Sequence, residues 1–208
     1  MLYLYKTSIT MDVSIDEIQS TYNKLSDYQI SEIATDDVTG LRTEAIDILK
    51  SEIKKRQLGD GLLHAIDIQL RELTENERYA YINIIRNLPC PICNSTHQPL
   101  NGIITAAVTS FIFFTNHNRA LIIACPDCLK KANHNALIKT LIFGWWGFPW
   151  GPIRTIRATI TNGKMRKECD NPDPSMILVG FVAANIAKIE SNRNNTQGLL
   201  SLIKRSNS

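Results

Sequence analysis

This 208-residue sequence has no apolar run long enough to cross a bilayer as a helix, which takes about 20 residues. The longest charge-free run after Lys139, residues 140–153, is too short and is broken by Gly and Pro. The apolar run 103–125 carries Asn116, His117, Asn118 and Arg119 in its middle. That pattern predicts two strands, 106–115 and 120–124, joined by a turn, not a membrane helix. The opening Met1-Leu-Tyr-Leu-Tyr-Lys6 has no basic region followed by an apolar core, so no secretory signal is expected. H-E-x-x-H, G-x-S-x-G, Walker A and G-x-G-x-x-G are all missing. No catalytic residue is assigned, and a non-enzymatic protein is expected.

Cysteine is scarce, but four of the five stand in two tight pairs. Without a secretory signal, this argues for a reducing, cytoplasmic setting and a metal site in place of disulfides. Cys90-Pro-Ile-Cys93 and Cys125-Pro-Asp-Cys128 are separated by 31 residues. Each pair offers two soft ligands from a tight turn whose backbone N–H groups offset thiolate charge. The intervening hairpin brings the second turn back beside the first. Cys90, Cys93, Cys125 and Cys128 are therefore expected to hold one structural Zn²⁺ in a zinc ribbon. Two alternatives are open to the same residues. A lone C-P-x-C pair also occurs in redox sites, but those need a βαβ context. His97 and His134 follow the pairs closely, yet four thiols already complete a site, so both are read as surface groups. Cys169 stands alone beside Lys and Glu and is read as a bystander, with a reactive thiol as the alternative.

Charge divides the chain. Residues 1–88 have 10 Lys/Arg against 15 Asp/Glu, and residues 89–208 have 13 against 5. The basic half calls for an anionic partner, or for docking on the acidic half. The expected organisation is an acidic helical domain, 1–88, a zinc-ribbon domain with C-terminal helices, 89–191, and a polar tail, 192–208.

The first half reads as short capped helices. Ser14-Ile-Asp-Glu17, Ser26-Asp-Tyr-Gln29 and Thr74-Glu-Asn-Glu77 have the capping-box pattern and predict helices over 15–24, 27–34 and 75–87. Ala45, Ile48, Leu49 and Ile53 form a helical stripe within 41–58, with Gly59 expected as the C′ residue. Asp60 is expected to cap a helix over 61–72. In the second half, Leu137, Ile138, Leu141 and Ile142 form one helix face. Ile153, Ile156 and Ile160 recur at helical spacing after Pro152, and Asn162-Gly163 is expected to end that helix. A last helix is expected from Asp173-Pro174 to about Ser191. Leu199, Leu200, Leu202 and Ile203 would form at most a weak closing turn.

All three tryptophans, Trp145, Trp146 and Trp150, lie in Gly144-Trp-Trp-Gly-Phe-Pro-Trp-Gly-Pro152. The favoured expectation is a buried turn in which the indoles fill space between the hairpin and the helices. The alternative is an interaction surface in which Arg154 and Arg157, three residues apart, add phosphate-binding charge.

The paired C-P-x-C motifs, the strand pair between them and the G-W-W-G-F-P-W-G segment resemble a group of uncharacterised bacterial zinc-ribbon proteins. The resemblance spans about 89–162. It rests on Cys90, Cys93, Cys125, Cys128 and the segment from Gly144 to Gly151. A helical segment like 40–56 precedes such ribbons, commonly with proline where this chain has Thr43. The resemblance implies zinc and no particular activity. Some members lie next to membrane segments.

The expected fold is α+β, an N-terminal helical segment followed by a zinc-ribbon β-hairpin packed with C-terminal helices. The expected role is a zinc-stabilised binding or scaffold protein with a protein partner. A peripheral protein at an anionic membrane surface on the cytoplasmic side is the second reading, and nucleic-acid binding the third. The third is weaker because the aromatic residues are not interleaved with the cations as stacking platforms are.

Overall fold

The structure, a computed structural model, describes residues 14–111, 114–146 and 150–207. Its class is α+β: ten helices and one two-stranded antiparallel hairpin among the described residues. The chain divides into two compact units, Met1–Glu72 and Leu73–Ser208.

The first unit holds α1 (Ile15–Lys24), α2 (Asp27–Thr35), α3 (Thr43–Lys55) and α4 (Asp60–Gln69). Ser14 and Ser26 cap α1 and α2 by accepting the Glu17 and Gln29 N–H groups. The apolar stripe of α3 is buried with Ile30, Ala34, Val38, Leu62 and Ile66 in one core. Gln57, not Gly59, takes the left-handed position after α3, at φ 55°, and the Leu58 N–H reaches back to the Ile53 carbonyl. Gly59, at φ 99°, is the N-cap of α4, so Asp60 enters the first turn of that helix and does not cap it. Arg56 then extends from the end of α3 to Asp27, Glu52 and the carbonyls of Tyr22, Asn23 and Leu25. This one guanidinium satisfies the C-terminal end of α1 and ties it to α3.

The second unit begins with α5 (Glu75–Arg86), opened by the Thr74/Glu77 capping box. The hairpin follows, β1 (Asn101–Phe111) paired with β2 (Phe114–Ala124). Its register runs from Asn101 opposite Ala124 to Phe111 opposite Phe114. Asn116, His117, Asn118 and Arg119 are therefore strand residues, paired with Thr109, Val108, Ala107 and Ala106, and not the expected turn. They are tolerated because Asn116, Asn118 and Arg119 lie exposed on this ribbon.

Five helices follow the ribbon: α6 (Pro126–Phe143), α7 (Trp150–Glu168), α8 (Met176–Ala184), α9 (Ile186–Ser191) and α10 (Thr196–Ser206). A two-stranded ribbon has two free edges whose backbone groups need partners. The free edge of β1 is met by α6, α7 and the start of α8. Thr140 Oγ1 accepts the Val108 N–H, and the Asn162 side chain bonds both the N–H and the carbonyl of Ala106. Ser175 Oγ donates to the Gly102 carbonyl. The outer edge of β2 is met at Ile123 by Asn207.

Three further sequence expectations change. Asn162-Gly163 does not end α7, because the Asn162 side chain is committed to β1 and the helix continues to Glu168. Residues 192–208 are not simply a polar tail. Asn195 caps α10, which buries Leu199, Leu200 and Ile203 and delivers Asn207 to the ribbon. The long helix expected before Ser191 is also interrupted at Asn185, giving α8 and α9.

Candidate functional site

The register brings the two cysteine pairs together. Cys125 directly follows β2, and Asn101, the first residue of β1, stands opposite Ala124. The first pair lies in a turn ahead of β1. The Asn94 N–H donates to the Cys90 carbonyl at 2.8 Å, the Cys90 N–H to the Ser95 carbonyl at 2.9 Å, and Asn94 takes a left-handed φ of 59°. The second pair is less turn-like than expected: it is the start of α6, with Cys125 as N-cap and Pro126 at N1. Proline fits there because it has no N–H to lose and its φ suits a helix start.

The four cysteine sulfurs all lie within 4.8 Å of one another. The Cys93 and Cys125 sulfurs are 3.6 Å apart. Four thiolates on a tetrahedral ion with bonds of about 2.3 Å would stand about 3.8 Å apart, so this cluster has the dimensions of a metal site. Cys90 and Cys125 are buried, Cys128 is half-buried and Cys93 exposed.

The local electrostatics are uneven. Burial pushes the Cys90 thiol up, but the N–H groups of Cys125, Cys93 and Ile92 outweigh it and bring Cys90 down to about 7. Burial raises Cys125 and Cys128. Backbone donors thus support a thiolate at Cys90, and a bound cation would hold Cys125 and Cys128 ionised beside it. His97 and His134 are exposed and stand outside the cluster. Cys169 also stands outside it. It is buried on α7's C-terminal flank, donates to the Met165 carbonyl, and is held above the ordinary thiol range by burial. A buried, protonated thiol is a poor nucleophile.

The tryptophan segment departs from the favoured expectation. Trp145 is 48 % exposed, Trp146 69 % and Trp150 61 %. The indole N–H of Trp146 folds back onto the Ile142 carbonyl near the end of α6. Residues 147–149 lie outside the described residues. Arg154 and Arg157 are exposed on α7.

The same departure extends along both helices. On α6 the buried residues are Leu129, Asn133 and Thr140, while Ile138, Leu141, Ile142 and Phe143 are exposed. On α7 the buried residues are Gly151, Thr155, Ala158 and Asn162, while Ile153, Ile156 and Ile160 are exposed. Thr140, Ala158 and Asn162 face the ribbon, where β1 demands backbone partners and close approach, and Asn133 and Thr155 lie at the contact between the two helices. The isoleucines therefore occupy the opposite side of each helix. The signal for this was in the sequence: Thr140, Thr155, Ala158 and Asn162 form helical stripes of their own. We find no protein-family model, curated protein or solved structure that matches the chain.

Proposed function

We propose that this is a non-enzymatic, zinc-stabilised binding protein whose working surface is the outward face of α6 and α7. The observation that carries the reading is the inverted polarity of those helices. They bury asparagine, threonine and glycine and expose Ile138, Leu141, Ile142, Ile153, Ile156 and Ile160 with the three indoles. Exposed apolar residues gathered on one side of two packed helices mark a place where something binds.

The metal belongs to the scaffold. Four sulfurs at tetrahedral spacing favour a soft, closed site, and Zn²⁺ suits it better than harder cations. Cys90, Cys93, Cys125 and Cys128 would fill every coordination position, so the ion would hold structure and not activate water or substrate. Its place at the Asn101/Ala124 end of the ribbon fixes the start of α6 to the end of β2, and so orients the working face.

Photo-crosslinking from position 156 in the native cell tests this reading, with Tyr79 on α5, also exposed, as the control position. An adduct specific to position 156, with lipid or with protein, is the expected result. Adducts at 79 and none at 156 would overturn it.

A further inference from the structure

We infer that the face formed by α6 and α7 docks on an anionic lipid bilayer, inserting the end that carries the tryptophans. The inference rests on the binding reading above and names its partner. Four observations support it.

The first is how the helix pair is built. Asn133 Nδ2 donates to the Asn162 carbonyl at 2.9 Å, and an added Cβ at Gly144 would lie 2.1 Å from Thr155 Oγ1. The two helices therefore run antiparallel, meeting through Gly, Thr and Asn with apolar residues outward. Small residues between helices and apolar ones outside is the arrangement that suits lipid contact.

The second is the order of residues along the outward faces. On α7, Ile153, Ile156 and Ile160 are followed on the same side by Lys164 and Lys167, all exposed. On α6, Lys131 precedes Ile138 and Ile142 on the outward side. Because the helices are antiparallel, the apolar ends coincide and the lysines lie together at the far end. Ile153 and Lys164 are separated by about 16 Å along the helix axis. Apolar residues would enter the acyl boundary while the lysines stay at headgroup depth. Exposed indoles at the turn suit the same interface.

The third is charge. From Cys128 to Lys167 the sequence has eight Lys and Arg and no Asp or Glu. The field is felt on the ribbon too: burial, then the charges of Arg119 and Arg154, hold His117 below its ordinary range. A second copy of this chain is a poor occupant, since a two-fold contact would oppose these cations to themselves. An anionic bilayer is complementary to both the apolar and the cationic parts.

The fourth is depth. No helix among the described residues is long and apolar enough to cross a membrane. The apolar part of the pair is confined to one end, which fits shallow insertion. Ser110 Oγ donates to the Gly144 carbonyl, so the far end of the ribbon lies beside the same turn. The strands end there on Phe111 and Phe114, and the metal cluster is about 33 Å away along β1.

The test uses the full chain with its metal and two kinds of vesicle, phosphatidylglycerol mixed with phosphatidylcholine, and phosphatidylcholine alone. Co-sedimentation with the first, a blue shift of Trp emission and weakening by salt are expected. Ile156→Asp changes an exposed position and should abolish binding while leaving the melting curve intact. Lys164→Gln with Lys167→Gln should weaken binding about thirtyfold, at roughly a factor of five per cation. Three outcomes would overturn the inference. One is no binding to either vesicle, with position 156 crosslinking only to protein in the cell. Another is equal binding to both vesicles, with no effect of the lysine changes. The last is a concentration-dependent dimer abolished by Ile156→Asp in the absence of lipid binding. The first and third leave the α6/α7 face as a docking surface for another partner, so they separate this inference from the binding reading.

Discussion

Asn162, fully buried on α7, accepts the Ala106 N–H at 2.9 Å and donates its own amide to the Ala106 carbonyl at 2.8 Å. Asn207 makes the same pair of bonds to Ile123 on the opposite edge, at 2.9 and 3.1 Å. Each side-chain amide stands where the next strand's peptide group would stand. A two-stranded ribbon is marginal alone, and here an asparagine clasps each edge, with Thr140 and Ser175 adding bonds along β1.

These clasps differ in burial, and their loss should differ accordingly. Asn162→Ala leaves the buried Ala106 N–H without its partner, at about 1–3 kcal/mol, and the Ala106 carbonyl with the longer Thr140 hydroxyl bond alone, whereas the half-buried Asn207 site can admit water. Asn162→Ala should therefore cost roughly 2–4 kcal/mol and Asn207→Ala about 1 kcal/mol. Urea unfolding of the full chain gives the stabilities, and amide exchange at Ala106 reports the clasp directly. Unchanged Ala106 exchange in Asn162→Ala would refute the edge-closing role.

The metal proposal predicts one zinc per purified chain by elemental analysis. Cys125→Ser should remove a ligand and release the start of α6 from the first pair. The folding energy linked to zinc in small modules is on the order of 10–16 kcal/mol, so the second unit should lose cooperative melting or solubility. Cys169→Ser, which changes a buried thiol bonded to the Met165 carbonyl of α7, should cost about 1 kcal/mol. Equal damage from both substitutions would show that the ligand set is wrong.

The sequence made the short capped helices legible. Ser14, Ser26 and Thr74 announce α1, α2 and α5 because capping is a local interaction between residues three apart. The cysteine spacing and the apolar strands likewise place the four-cysteine cluster beside the hairpin. What could not be read locally was which face of α6 and α7 turns inward. Hydrophobic periodicity assigned Ile138, Ile142, Ile153 and Ile156 to one face correctly but says nothing of what lies opposite. That was decided by the free edge of β1, which recruits Thr140 and Asn162 for their hydrogen bonds. The α10 helix was hidden for a similar reason: its apolar residues are few, and its anchor is an amide contact with Ile123, distant in sequence.

Exposure of the tryptophans predicts that Trp146→Ala leaves stability within about 0.5 kcal/mol of the parent, as for other surface changes. Emptying a buried aromatic site would cost about 3–5 kcal/mol instead. Emission of the free protein should be red-shifted, as for indoles in water. A loss of several kcal/mol with blue-shifted emission would return the segment to the core.

Glu52 gives the first unit a pH dependence. It is 1 % exposed and bonded by Lys55 and Arg56. The Lys55 hydrogen bond lowers its carboxyl below the ordinary 4.5, burial opposes that, and the Arg56 bond adds to the lowering. The unfolded chain therefore binds a proton at a higher pH than the folded one. This stabilisation is present above pH 4.5 and is lost as pH falls through the lower folded value. Glu52→Gln should be less stable near neutral pH, where it leaves Arg56 short of its partner, and should lose less stability between neutral and acid conditions. Melting temperatures of both proteins across that range are the measurement, and parallel curves would remove Glu52 from the account.

Two glycines of the α6–α7 pair make opposite demands, and substituting both separates close packing from chain flexibility. A Cβ on Gly144 would stand 2.1 Å from Thr155 Oγ1 and 2.5 Å from the Thr140 carbonyl, so one helix must move. Gly144→Ala should cost about 1–3 kcal/mol, the range for overpacking a filled site. Because Gly144 also positions the Trp turn, the same change should alter Trp emission. Gly163 lies within α7 with nothing within 4 Å of its added Cβ. Gly163→Ala should stabilise the protein by about 0.5–1 kcal/mol through better helix propensity and a less flexible unfolded chain. Urea unfolding of the two variants against the parent checks both signs. A neutral Gly144→Ala would mean that the helices do not approach as closely as the Gly144–Thr155 contact requires, and the lipid-facing arrangement built on that contact would lose its first support.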